Sequence, residues 1–167
     1  MTIAYDSTRG VAVHYGARTT NGKYGADDAS EKGIVKSAMW DFTYNDLPGS
    51  QANASKMQFQ IPANSTIVSC KLYIDTAFTS TSTTTDLTIG LNRATDGTTA
   101  ISATGLCTAA EATQTAIGTA GNVITGAGAL IGKLSDATYN GVLVVAPTVA
   151  DLLTGAGRIV VEYVYNS

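Results

Sequence analysis

Charged side chains are scarce in this sequence of 167 residues, because Lys, Arg, Asp and Glu together make up 14% of it, against about 25% in an average soluble domain. The ten basic residues are spread along the chain and matched by thirteen acidic ones, for a net charge of -3. No basic patch is present to bind phosphates, so nucleic acid is not an expected partner. Surface polarity must come largely from hydroxyl and amide groups.

Cysteine and histidine are nearly missing as well. Cys70 and Cys107 are the only cysteines, too few for a disulfide framework, and we expect both to be reduced and buried. The single histidine, His14, excludes a multi-histidine metal centre and leaves a nucleophilic triad unsupported. No Gly-x-Ser-x-Gly elbow, Walker lysine or complete dinucleotide fingerprint occurs. The residues predict a protein that is not an enzyme and that carries no cofactor and no metal.

Long apolar runs are lacking too. Residues 1–6 have neither the basic start nor the apolar stretch of a secretory signal, and no run approaches membrane-spanning length. We therefore expect synthesis in a cytoplasm and no membrane partner.

One long segment contains almost no charge. From Gly97 to Gly132 the sequence is rich in Thr, Ala, Gly and Ser, and Glu111 is its only charged residue. Soluble domains usually cover themselves with charged side chains, so this pattern predicts surface hidden against other protein. A component of an assembly is the function class that it favours.

Strand patterns dominate the rest of the chain. Even positions from 38 to 44 are apolar and the odd ones mostly polar, and Val68, Cys70, Leu72 and Ile74 alternate with polar residues. Residues 142–145 and 159–165 are apolar on nearly both faces, which is typical of central or covered strands. The sequence therefore predicts a β-rich domain.

Local signals add turns and little helix. Asp96-Gly97 and Asn140-Gly141 are hairpin-type dipeptides, because these residues tolerate positive φ. Thr108 and Glu111 have capping-box spacing, and Ile117-Gly118 ends the segment, so one or two helical turns are expected there.

The first 33 residues differ from the remainder. Charges of both signs and five glycines punctuate them, and only Val11, Val13 and Tyr15 suggest a strand. We predict an extended N-terminal arm over residues 1–33 and a single β domain over 34–167. Asp27, Asp28 and Glu31 could offer oxygens to calcium, but the spacing is not that of an EF-hand loop, which favours a solvated acidic turn.

One set of aromatic residues and one pair of acidic residues each have two possible roles. Trp40, Phe42 and Tyr44 could form a platform that stacks on sugars, although residues on one strand face more often fill a core. Asp41 and Asp46 could act as an acid–base pair, although hydrogen bonds to loop amides are favoured.

Several stretches together resemble a group of small virion proteins of tailed bacteriophages, the capsid decoration (cement) or head structural proteins. The matching stretches, in order, are Tyr15–Thr19, Gly22–Lys23, Trp40–Pro48, Gln60–Ser65, Thr76–Phe78, Ile89–Leu91, Asp96–Thr98 and Gly155–Tyr163.

The resemblance implies an antiparallel, jelly-roll-like β-sandwich on the outer surface of a phage capsid, where it binds the major capsid protein, as a homotrimer in many cases, and stabilises the mature head. A tail, tail-tip or head-fibre subunit and a host-glycan-binding module are the alternatives. We expect the contacts to come from the N-terminal arm and the charge-poor segment. The residues expected to contact another protein are Arg18, Lys23, Tyr24, Leu106, Ile117, Val123, Ile124 and Leu130.

Overall fold

The computed structural model describes residues 5–6, 10–11, 34–47 and 60–166. By its internal contacts the chain divides into two units, residues 1–31 and 32–167. In the first unit, strand β1 (Tyr5–Asp6) pairs antiparallel with β2 (Gly10–Val11). Val13, Tyr15 and most of the predicted N-terminal arm lie outside the described residues, so the arm stays a prediction.

The second unit is built from two four-stranded antiparallel sheets. Its strands are β3 (Val35–Thr43), β4 (Gln60–Ile61), β5 (Ser65–Ser80), β6 (Leu87–Arg93), β7 (Ala100–Cys107), β8 (Val123–Thr125), β9 (Gly141–Pro147) and β10 (Leu152–Tyr165). Sheet I has the order β3-β10-β5-β8 and sheet II the order β4-β9-β6-β7. The all-β class and the sandwich are confirmed, and the strand order is consistent with the jelly-roll-like arrangement.

The predicted alternation places the core between the sheets. In β3, Ala38 and Phe42 are buried and Met39 is exposed, as the pattern predicts. Phe42 stacks on Trp40 and on Phe78, with ring centroids 5.1 and 5.6 Å apart. The two strands predicted to be central, β9 and β10, each lie between two neighbours in their sheets. Among the described residues no helix is long and apolar enough to cross a membrane.

Strand β5 corrects one predicted face. Cys70, Leu72 and Ile74 are buried, but Val68 is 42% exposed and Ile67 occupies the core instead. The register with β10 shifts between the pairs at Ser69 and Ile67, so β5 has one extra residue at this point. Such a bulge reverses the side on which the preceding residues lie, and alternation alone cannot reveal it.

The helix is one turn, α1 (Gln114–Ile117), followed by Gly118 as predicted. It begins later than the spacing of Thr108 and Glu111 indicates. Ala112, between them and the helix, accepts a hydrogen bond from the backbone of Leu87, so the chain at Ala112 is held against β6. Thr113 caps the helix instead, since its side chain accepts from the Ala116 amide at 3.3 Å.

Candidate interaction surfaces

The outward side of sheet I is an open, partly apolar surface, which we call the open face. Its residues alternate with core positions, and strand register brings Met39 beside Val160 and Val35 beside Val164. The bulge in β5 turns Val68 outward, and a single bridge places Leu134 next to Thr66. The apolar end of the open face consists of Val35, Met39, Val68, Leu134, Val160 and Val164. Clustered apolar side chains of this kind are typical of protein contact surfaces.

Two charged side chains on the open face pair with each other across strands, and a third is hydrogen-bonded to a serine. Arg158 Nε lies 2.6 Å from Asp41 Oδ1, and Ser69 Oγ donates to Glu162 Oε2 at 2.7 Å. The hydrogen bond with Asp41 raises the pKa of Arg158. The first pair is solvent-exposed and adds little to stability. The bond from the neutral Ser69 leaves Glu162 charged, and Lys71, which pairs with Val160, adds a further charge to this face.

The outward side of sheet II, which we call the covered face, is closed by the chain itself. Register between β6 and β7 jumps from Ile89–Cys107 to Leu91–Ser102, so β7 bulges. A Cβ added to Gly90 would lie 2.2 Å from the Ser102 carbonyl oxygen, which means that the β7 backbone lies directly over this glycine. Neighbouring outward side chains, Val144 and Ala146, are only 8% exposed.

The charge-poor segment from Gly97 to Gly132 packs largely against its own chain. A Cβ on Gly126 would lie 2.1 Å from the Leu106 carbonyl oxygen, and one on Gly128 would lie 2.4 Å from Gly105. The Leu130 amide donates to the Gly105 carbonyl at 2.8 Å across the same contact. Close approach of two backbone stretches requires glycine, and it leaves no room for charged side chains. Internal packing therefore accounts for much of a composition that predicted a partner.

The predicted contact residues differ in their exposure to solvent. Leu106, Ile117 and Ile124 are buried in the core of this chain, and Leu130 packs against it half-buried. Val123 is 48% exposed and pairs with Tyr73 on the open face. Arg18, Lys23 and Tyr24 lie outside the described residues. The role of all eight residues in contacts with another protein stays a prediction.

Sequence reasoning missed the apolar end of the open face. One signal was present, because Met39 is a large apolar residue among the mostly polar odd positions of β3. For Val160 and Val164 the signal is weaker. They share their side of β10 with Arg158 and Glu162, but the strand is otherwise apolar on nearly both faces.

The two cysteine thiols are buried, and the carboxylates of Asp41 and Asp46 bond to neighbouring residues of the sandwich. Burial raises the pKa values of Cys70 and Cys107 to about 12, and both thiols are free. Asp46 accepts from the amide and hydroxyl of Thr43, both at 2.8 Å, as expected for a loop carboxylate. Asp41, in contrast, pairs with Arg158. No group of three or more potential metal ligands occurs among the residues that the structure describes.

Comparisons with known proteins identify the fold. No protein-family model and no curated protein matches the sequence. A chain of the cyanophage Pam1 capsid asymmetric unit is similar in structure, with a TM-score of 0.53 and 19% sequence identity, over 90% of this chain and 98% of that chain. A chain of the capsid of Ralstonia phage GP4 has a TM-score of 0.50 and 21% identity, over 81% of this chain and 87% of that one. The two-sheet fold therefore occurs in phage capsids.

Proposed function

We propose that this protein is a structural component of a bacteriophage virion, and specifically a decoration or cement protein that stabilises the mature head. The observation that carries the proposal is the match to chains from two phage capsids, in one case over nearly the full length of both chains. The match covers 90% of this chain and 98% of the Pam1 chain, so the likeness extends over nearly all of both chains rather than over a small shared part. A structural rather than an enzymatic role is proposed with it.

Charge favours the outer surface of the capsid over the interior. Residues 34–47 and 60–166 contain five basic and nine acidic side chains. A protein that faces packaged DNA needs basic side chains to neutralise phosphates. The acidic balance of the sandwich would repel DNA, so the exterior is the proposed location.

The apolar end of the open face is the proposed attachment surface for the major capsid protein. Large aliphatic side chains that remain exposed there, such as Met39 and Val35, lose unfavourable contact with water when covered. Because the side chains proposed for this contact are apolar and uncharged, attachment should weaken little between low and high salt. Arg18, Lys23 and Tyr24 in the N-terminal arm are proposed as secondary contacts, and a homotrimer as the bound form.

Localisation and stability of the particle test the proposal together. Heads assembled with the protein should show its density on the outside of the shell by cryo-electron microscopy, and heads without it should release DNA at a lower temperature. Density confined to the tail would replace this proposal with a tail or head-fibre subunit. Equal thermal stability of the two kinds of head would contradict the cement role.

The remaining alternative, glycan binding through Trp40, Phe42 and Tyr44, is not favoured by the geometry. Phe42 is buried and stacked between two other rings, and Trp40 packs against the core. These rings stabilise the interior of the sandwich, in agreement with the interpretation that residues on one strand face fill a core.

A further inference from the structure

A small polar pocket opens at the end of sheet II, where β6 ends and β9 begins. Its volume is about 270 Å³, and it is lined by Gln60, Ala94, Thr95, Thr138, Tyr139 and Asn140. Ligand pockets start at about 300 Å³, so this one suits a small ligand. Its lining residues are not those of the apolar end of the open face, although Leu134 of that end precedes Thr138 in the same loop.

Hydrogen bonds fix the backbone of the pocket walls. Asp136 Oδ1 accepts from the amides of Thr138 and Tyr139, at 2.7 and 2.8 Å. The Ala94 amide donates to the Asn140 carbonyl at 2.8 Å, and the Ala63 amide donates to Asn140 Oδ1 at 2.9 Å. Three separate stretches of chain are thereby tied together before any ligand arrives, which lowers the entropic cost of binding.

Several polar side chains of this pocket, including those of Gln60, Thr95 and Thr138, are exposed to solvent. The hydroxyl groups of Thr95, Thr138 and Tyr139 and the amide of Gln60 make no side-chain hydrogen bond to any residue that the structure describes. Hydroxyls elsewhere on the sandwich pair with each other, as in Thr79 with Thr154 at 2.7 Å. The pocket therefore concentrates donors and acceptors that a ligand can use.

An aromatic ring and a local charge balance narrow the class of ligand. The Arg93 guanidinium lies 4.1 Å from the centre of the Tyr139 ring, and Tyr139 is part of the pocket lining. Asp96 and Asp136 also lie near Arg93. A hydrogen bond from the Thr99 hydroxyl lowers the pKa of Asp96, and hydrogen bonds from the Tyr139 and Thr138 amides lower the pKa of Asp136. Two carboxylates against one guanidinium disfavour an anionic ligand.

From this arrangement we infer that the pocket binds a neutral saccharide of one or two sugar rings. A sugar offers hydroxyl groups to the free threonine, tyrosine and glutamine side chains and a C–H face to the Tyr139 ring. An apolar ligand would leave those polar groups unsatisfied, which costs binding free energy. Its lining shares no residue with the proposed attachment surface, so we expect it to stay available on an assembled particle.

Saturation-transfer NMR on the full chain tests this site, with the methyl glycosides of glucose, galactose, rhamnose and N-acetylglucosamine as probes at about 10 mM, a concentration that detects millimolar affinity. At least one probe should receive saturation and should shift the backbone amide signals of Thr95, Thr138 and Asn140. The double variant Thr95→Val/Thr138→Val keeps side-chain shape and removes two hydroxyls. It should weaken binding about tenfold, since each lost hydrogen bond contributes about 0.5–1.5 kcal/mol.

A matched control is Thr125→Val, the same substitution on an exposed residue of β8 in the other sheet. It should leave binding unchanged. The inference is wrong if none of the four probes receives saturation, if the shifted amides lie elsewhere, or if the double variant binds as tightly as the control. Head attachment, measured on the same variants, should be normal, which separates this site from the proposed function.

Discussion

The two sheets of the sandwich differ in what lies on their outward sides. On sheet II the β7 backbone crosses over Gly90, and the outward side chains of Val144 and Ala146 are only 8% exposed. On sheet I nothing among the described residues covers Val35 or Met39, which are more than half exposed. The outward sides of the two sheets therefore differ, because one is largely buried and the other is exposed to solvent. Covering within the chain contributes to stability, whereas an uncovered apolar surface is available to a binding partner.

The largest expected effect comes from a charge on the open face. Met39→Lys should reduce attachment to phage heads at least tenfold, because a buried ammonium group without a partner is strongly unfavourable. Folding should be unaffected, since Met39 is 59% exposed. Sedimentation of the variant with heads that lack the protein measures attachment, and urea unfolding measures stability.

Ala100→Lys serves as the control for this experiment, because it adds the same charge at an exposed position of β7 in sheet II. It should attach normally. Wild-type attachment by the Met39→Lys variant would remove the assignment of the open face as the binding surface, whereas the fold argument would remain.

The next effect tests the covered face. Gly90→Ala should lower the free energy of unfolding by about 3 kcal/mol, because the new methyl group would meet the β7 backbone rather than a side chain that can rotate away. Urea denaturation followed by circular dichroism gives the value. Ser37→Ala, on the open face, should change stability by less than about 0.5 kcal/mol. A cost for Gly90→Ala as small as that for Ser37→Ala would mean that the bulge is free to move.

Thiol labelling compares the sheets directly, since Cys70 lies in β5 of sheet I and Cys107 in β7 of sheet II. Burial raises both pKa values to about 12, so the thiolate is scarce at pH 8 and labelling requires the chain to open. Both thiols of the native protein should resist labelling. In the Gly90→Ala variant Cys107 should react before Cys70, as peptide mass spectrometry would detect. Equal rates would show that the two sheets open together.

The sequence predicted the core positions of the two sheets better than it predicted which residues lie on their outward sides. Alternation in β3 predicted Ala38 and Phe42 in the core, because a two-residue period is a local property of the strand. Asp96-Gly97 was correctly taken as a hairpin turn, and Gly97 has a φ of 69°. Asn140-Gly141 is not a hairpin, because β9, which begins at Gly141, pairs with β4 and β6 rather than with the preceding strand.

Features that depend on distant parts of the chain were not predictable in the same way. The reversal at Val68 depends on a bulge against β10, and the covering of Gly90 depends on a register jump in β7. The charge-poor segment was interpreted as partner surface because composition cannot distinguish a surface covered by another protein from one covered by the same chain. Gly126 and Gly128, which lie against the β7 backbone, show that the second case applies to part of it.

The smallest expected effect concerns acid, and it acts on the β6–β7 turn at the end of sheet II. A hydrogen bond from the Thr99 hydroxyl, at 2.6 Å, and amide bonds from Thr99 and Thr98 lower the pKa of Asp96 to about 2. Because this pKa is below the ordinary value for an aspartate, the carboxylate contributes stability above about pH 4 that is lost as the pH falls toward 2. Asp96→Asn should therefore be slightly less stable than wild type at neutral pH and should lose less stability over that acid range.

Amide hydrogen exchange at Thr98 and Thr99 reports on this turn specifically, with strand β10 of sheet I as the internal reference. In the wild type, exchange at the two threonines should accelerate as the pH falls from 4 to about 2, after correction for intrinsic rates, while protection of β10 should persist. Thr99→Val, which removes only the hydroxyl donor, should shift the onset of this change to higher pH. An unchanged onset in Thr99→Val would mean that backbone amides alone hold the Asp96 carboxylate, and that acid does not loosen sheet II through this side-chain contact.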